Sequence, residues 1–210
     1  MHTDQRNCMF ILRPKSNDTM KSFLIVFVAI IIFSISVNGQ IKYWEDLSCS
    51  QKTDMLEACK SELVKKLYEG NFVLSDDEKT EKLLNELIVS DVTILPLSFY
   101  LFNKISIESD GALAEMAGEY HVEYLARHPG YILTYFTIER NRSVDNLVWK
   151  NYAEFVGYEL YFKNRGTSDL NYNYQSFKEI LVSASKGDKE NEETFRIFWQ
   201  LVDETIKNMD

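Results

Sequence analysis

The sequence predicts an all-α protein, about eight antiparallel helices in a compact bundle or a short αα-solenoid. Three observations lead there. Apolar residues recur at three- and four-residue spacing along most of the chain beyond Gln40. Strand-like alternation is scarce. Only three prolines occur, and two of them, Pro96 and Pro129, stand where a helix would begin.

The elements follow in order. From Thr53 to Tyr68, residues Met55, Leu56, Cys59, Leu63, Leu67 and Tyr68 keep helical spacing, and Gly70 is suited to close that helix in the left-handed conformation. A second helix opens at Ser75 as N-cap. Asp76, Asp77 and Glu78 complement its dipole, and Leu83, Leu84, Leu87 and Ile88 form its apolar face. Pro96 begins a third. Asp110 is suited to cap a fourth, from Gly111 to about Arg127, which His128-Pro129-Gly130 breaks. Pro129 then opens a fifth. Ser143 caps a long sixth from Val144 to about Asn164. After a loop, a seventh runs from about Tyr174 to Lys186 and stops at Gly187. Asp188 starts the last, with Phe195, Phe198, Leu201, Val202 and Ile206 on its inner stripe. Short links favour antiparallel neighbours.

The N-terminus has a different character. Lys21 precedes an apolar run from Phe23 to Phe33, and Val37-Asn38-Gly39 places small residues before Gln40. Residues 20–39 thus read as a secretory signal peptide. The run is shorter than the roughly 20 apolar residues of a spanning helix, which leaves an uncleaved anchor as the lesser reading. Residues 1–19 read as a non-structural leader or a misassigned start before Met20. Residues 40–210 form a single helical domain, expected to be secreted or periplasmic and without membrane contact once the signal is removed.

The whole chain has 23 basic and 32 acidic residues, a net charge of −9. Four basic residues (Arg6, Arg13, Lys15, Lys21) and two acidic ones (Asp4, Asp18) precede Gln40, so the remainder carries −11. That charge argues against a nucleic-acid partner and against anionic membranes. A cationic partner suits it, and so does solubility alone.

Cys8 lies in the leader, which leaves Cys49 and Cys59 as a candidate disulfide in an exported protein. Ten residues of unbroken helix rise about 15 Å, beyond disulfide reach, so a bridge requires a turn between them. Ser48 to Asp54 is polar enough to supply one. The other reading makes Cys59 a buried thiol on the stripe Met55, Cys59, Leu63, Leu67.

One internal echo favours stacked hairpins of the HEAT or TPR kind. Ala114 to Tyr120 (AEMAGEY) and Ala153 to Glu159 (AEFVGYE) lie 39 residues apart. Each places a glycine in mid-helix, Gly118 and Gly157, where a neighbour can approach closely. Chance similarity is the competing reading.

Catalytic signatures are scarce. His121 lies two residues from both Glu119 and Glu123, so on a helix it points away from them. His128 is a full two turns from His121, too far to share one ion, and no H-E-x-x-H occurs. No metal or cofactor is expected. The G-x-S-x-G elbow and phosphate-binding glycine loops are absent. Glu139, Glu154 and Glu159 lie among aromatic residues, and two of them could form an acid/base pair. Between Tyr120 and Phe177, 14 of 58 residues are aromatic. Helical spacing assigns most of these to the core, and Tyr120, Tyr124, Tyr131, Tyr135, Tyr158 and Tyr161 are the candidates for a recognition surface. Asn141-Arg142-Ser143 fits a glycosylation sequon, or simply a capped loop.

The expected function is an exported, non-enzymatic scaffold or binding module for a protein or peptide. The alternatives are a carboxylate-based hydrolase of glycans or cell wall, and an acidic inhibitor or immunity-type protein.

Overall fold

A computed structural model of the chain describes residues 43–142, 148–168 and 170–210. The leader, the signal peptide and Ser143, with its capping and sequon roles, lie outside the described residues. The described residues belong to one compact unit, Lys42–Asp210. They hold nine α-helices, a short 3-10 turn at Val92–Ile94 and no strand. The all-α expectation is met.

The first expected helix is two. α1 spans Cys49–Ala58 and α2 spans Glu62–Tyr68. The i, i+4 stripe through Cys59 suggests continuity, but two serine caps outweigh it. Ser48 forms a capping box with Gln51. Ser61 Oγ accepts from Val64 N–H at 3.0 Å and donates to the Glu86 carboxylate, so the chain leaves the helix at Cys59 with ψ near 120° and re-enters at Glu62. This break comes too late for a disulfide. Cys49 sits exposed at the first position of the unbroken α1, and Cys59, 1% exposed, follows its last turn. The bridge is replaced by the alternative reading for Cys59, a buried thiol.

α3 covers Glu78–Ile88 and is capped by Asp77, not Ser75. Asp77 accepts from Thr80 N–H at 2.8 Å, and Ser75 supports the cap by donating to it at 2.8 Å. α4 is Leu95–Glu108, α5 Gly111–Arg127 and α6 Pro129–Asn141. Asp110 holds the N-cap position of α5 without a side-chain bond. The His128 ring likewise caps nothing; its Nε2 lies 3.1 Å from the Ile88 carbonyl and ties the α5–α6 corner to the end of α3. α7 is described over Val148–Asn164, α8 over Tyr174–Ser185 and α9 over Lys189–Met209.

The helices pack against one another as in a helical bundle or solenoid. α3 packs on α5, α5 on α7 and α7 on α9, in one row, while α6 packs on α8 behind it. A continuous apolar core from Tyr43 to Val202 fills the space between. The two mid-helix glycines occupy equivalent places in that row. Gly118 of α5 receives the Glu159 side chain of α7, and Gly157 of α7 receives Thr205 of α9. The two echoed glycines each face a side chain of the next helix, but what they meet differs: a carboxyl end at Gly118, and Thr205 with the Val202 backbone at Gly157. Among the described residues, no single helix is long and apolar enough to cross a membrane.

Candidate functional site

A cleft of about 500 Å³ opens where α3, α5 and α7 line up beside the α7–α8 loop. Successive turns of α5 supply one wall, with Glu115, Glu119 and Glu123 at four-residue spacing. Glu81 faces them from α3 and Glu159 from α7. Among the described residues, Arg127 is the one basic residue on the lining, its Nε 3.7 Å from Glu123. Met116, Tyr120 and the half-exposed Phe162 add apolar surface.

Hydrogen bonds fix most of this wall. Ser168 Oγ donates to Glu119 at 3.2 Å and Asn171 Nδ2 to Glu123 at 3.2 Å, which holds the loop on α5. Asn85 Nδ2 donates to the Tyr120 hydroxyl at 2.9 Å. Glu159 is different. It is half-buried over the bare backbone of Gly118, with no hydrogen bond or ion pair among the described residues. Burial, and then the charge of Glu119, push its carboxyl up to about 7.

The six tyrosines do not form one surface. Tyr124 is fully buried, its hydroxyl 2.7 Å from Ser98 Oγ. Tyr135 is also buried, its ring 4.2 Å from that of Tyr43 and 4.7 Å from that of Phe99. Both are corrected to core, because they lie on the inward stripes of α5 and α6. Tyr131 packs edge-on against Phe99. Tyr161 donates to the Met209 carbonyl at 3.0 Å and lies beneath the Arg165 guanidinium. Tyr158 is exposed, and Tyr120 alone of the six lines the cleft.

His121 points away from the glutamates, as its spacing requires. It is fully buried, stacked on Phe155 at 4.1 Å with Tyr152 and Phe102 at its edges. Nδ1 lies 2.7 Å from the Ala117 carbonyl and Nε2 2.8 Å from Ser106 Oγ. This assigns the Nδ1–H tautomer, with Ser106 donating to Nε2. The pair resembles a nucleophile and its base. Burial nevertheless lowers the imidazole to about 3, too weak a base for that task at neutral pH. Among the described residues, no three His, Cys, Asp or Glu side chains converge as a metal ion requires.

Of the three carboxylates singled out in sequence, only Glu159 reaches the cleft. Glu154 is exposed on α7. Glu139 is buried and accepts from the N–H groups of Val148 and Trp149 at 2.9 and 3.1 Å, where the described part of α7 begins. Replacing it with alanine strands those donors. Glu139→Ala should cost roughly 2–3 kcal/mol in urea unfolding. Spacing alone pairs Glu119 with Glu123 on the surface and misses its meeting with Glu159. Gly118 in mid-helix was the available clue, since it allows some neighbouring helix to approach closely there.

Fold and cleft together define a class: an all-α protein of stacked helices with an acidic cleft across one row. The chain matches no family model, no curated protein and no solved structure.

Proposed function

We propose that the protein is an exported, non-enzymatic binding module whose acidic cleft takes a basic side chain of a protein or peptide partner. One observation carries the reading: Glu159 stands in an apolar-edged cleft among Glu81, Glu115, Glu119 and Glu123, without a cationic partner among the described residues. The absence of a three-ligand cluster among the described residues favours an extended cation over a bare ion. Arginine suits the cleft, with its stem on Met116 and Phe162 and its guanidinium between carboxylates. Export by the 20–39 segment would place the cleft among secreted or periplasmic partners.

The test is calorimetric titration with a short peptide alternating arginine and leucine, against its citrulline counterpart. The arginine peptide should bind, and more weakly as salt rises. The Glu119→Gln/Glu159→Gln double variant should lose at least roughly tenfold in affinity. Equal binding of the citrulline peptide, or unchanged binding by the double variant, would contradict the reading.

A second reading has its own support. A carboxyl pushed up to about 7 by burial and by the neighbouring Glu119 matches the raised general acid of a glycan hydrolase. Turnover of a glycan by the wild type that Glu159→Gln abolishes would establish it in place of the first.

A further inference from the structure

We propose that Glu159 is a proton-operated catch on the seam between α5 and α7. As the acid it lies against α5 at Gly118; as the carboxylate it is driven by Glu119 out of that seat into the cleft.

The geometry begins with Gly118. Any side chain there would occupy the space the Glu159 carboxyl fills, so the seat exists because α5 carries a glycine at mid-helix. A glycine in that position is intrinsically unfavourable to the helix, and here it makes room for the end of another side chain. One turn back along α7, Phe155 stacks on His121, which lies one turn further along α5. These two rungs pack the same seam. The His121 rung is sealed by rings, whereas the Glu159 rung opens on the cleft.

The charges around the seat all bear on the direction of the switch. From α5, Glu119 acts on Glu159 directly, with Glu115 and Glu123 along the same wall and Arg127 drawn to Glu123. From α3 comes Glu81. Lys163, one turn along α7, is engaged elsewhere, donating to the Ser168 carbonyl at 3.3 Å. The described loop residues on the lining, Thr167, Ser168 and Asn171, carry no charge. Nothing there compensates an ionised Glu159, and Glu119 is held in place by Ser168. Proton loss therefore sets a free carboxylate against a fixed one, and the cleft that Glu159 lines gives it room to move.

Burial and Glu119 place the change near neutral pH, where the carboxyl sits at about 7. The folded value lies above the ordinary one. The stabilising effect is thus complete below the ordinary carboxyl range and is lost as pH rises through about 7. Because Glu159 is only half-buried, solvent screening reduces the effect.

The catch operates in the unliganded protein, so its test needs no ligand. The probe is the backbone amide of Gly118 in a nitrogen–proton correlation spectrum, followed across neutral pH in the wild type, Glu159→Gln and Glu119→Gln. The Gly118 signal should titrate with a midpoint near 7. Glu159→Gln should silence it, and Glu119→Gln should move the midpoint down. In parallel, the melting temperature of the wild type should fall by about 4 °C between mildly acid and mildly alkaline pH, with the fall absent in Glu159→Gln. A Gly118 signal that stays still, or that titrates unchanged in Glu159→Gln, overturns the proposal. Neither result bears on whether the cleft binds a cation, which the peptide titration decides separately.

Discussion

Acidification from pH 6.5 to 4 should destabilise the native protein by about 3 kcal/mol through His121 alone. Free histidine takes a proton near 6.5, whereas His121, sealed among Phe102, Tyr152 and Phe155, resists one down to about 3. Between those values the unfolded chain binds a proton that the folded chain refuses. The His121 contribution is therefore full above 6.5 and falls by roughly 1.4 kcal/mol per pH unit below it. No charged side chain contributes to this shift; burial lowers the value, and only the Ala117 carbonyl opposes. Urea unfolding of the wild type and of His121→Phe at several pH values measures the effect. The variant keeps an aromatic ring in the cage and should lose the acid-dependent part, at the expense of the bond to Ser106. The same acid sensitivity in His121→Phe would show that other groups govern it.

Gly157→Ala should destabilise the protein by roughly 2–3 kcal/mol, although alanine is the better helix former by about 1 kcal/mol. A Cβ at 157 would lie 2.6 Å from Thr205 Cβ and 3.2 Å from the Val202 carbonyl oxygen. Neither is the end of a flexible chain, so α9 must move as a body, at the most extensive helix–helix contact among the described residues. Gly118→Ala is the informative comparison. It meets only the movable end of Glu159 and should cost far less. Thermal unfolding of both variants, with Gly157→Ala/Thr205→Gly as partial rescue, tests whether the two glycines do the different jobs assigned to them.

Much of the fold is legible in the sequence because amphipathic spacing and helix punctuation agree over most of the chain. Pro129 and Asp188 open helices as read, and Gly187, with φ near 91°, follows the end of α8. The failures have local causes. Cys59 continues an apolar stripe, yet Ser61 ends the helix pattern there, because a good cap outweighs one favourable side-chain contact. Tyr124 and Tyr135 are as polar in composition as Tyr120, but residue type does not say which stripe faces inward.

The site was less legible. Each carboxylate of the cleft is an ordinary surface residue within its own helix. Their meeting depends on how α3, α5 and α7 align, which no local spacing encodes. Glu139, read as catalytic material, turns out to serve Val148 and Trp149 across a helix junction.

The central claim is that a basic side chain binds between α5 and α7. The most direct test maps the arginine–leucine peptide onto the protein by amide chemical shifts at low salt. Saturable changes are expected at Asn85, Met116, Tyr120 and Ser168, lost in the Glu119→Gln/Glu159→Gln variant. Shifts scattered over the acidic surface, or gathered at a site away from α5 and α7, would contradict it.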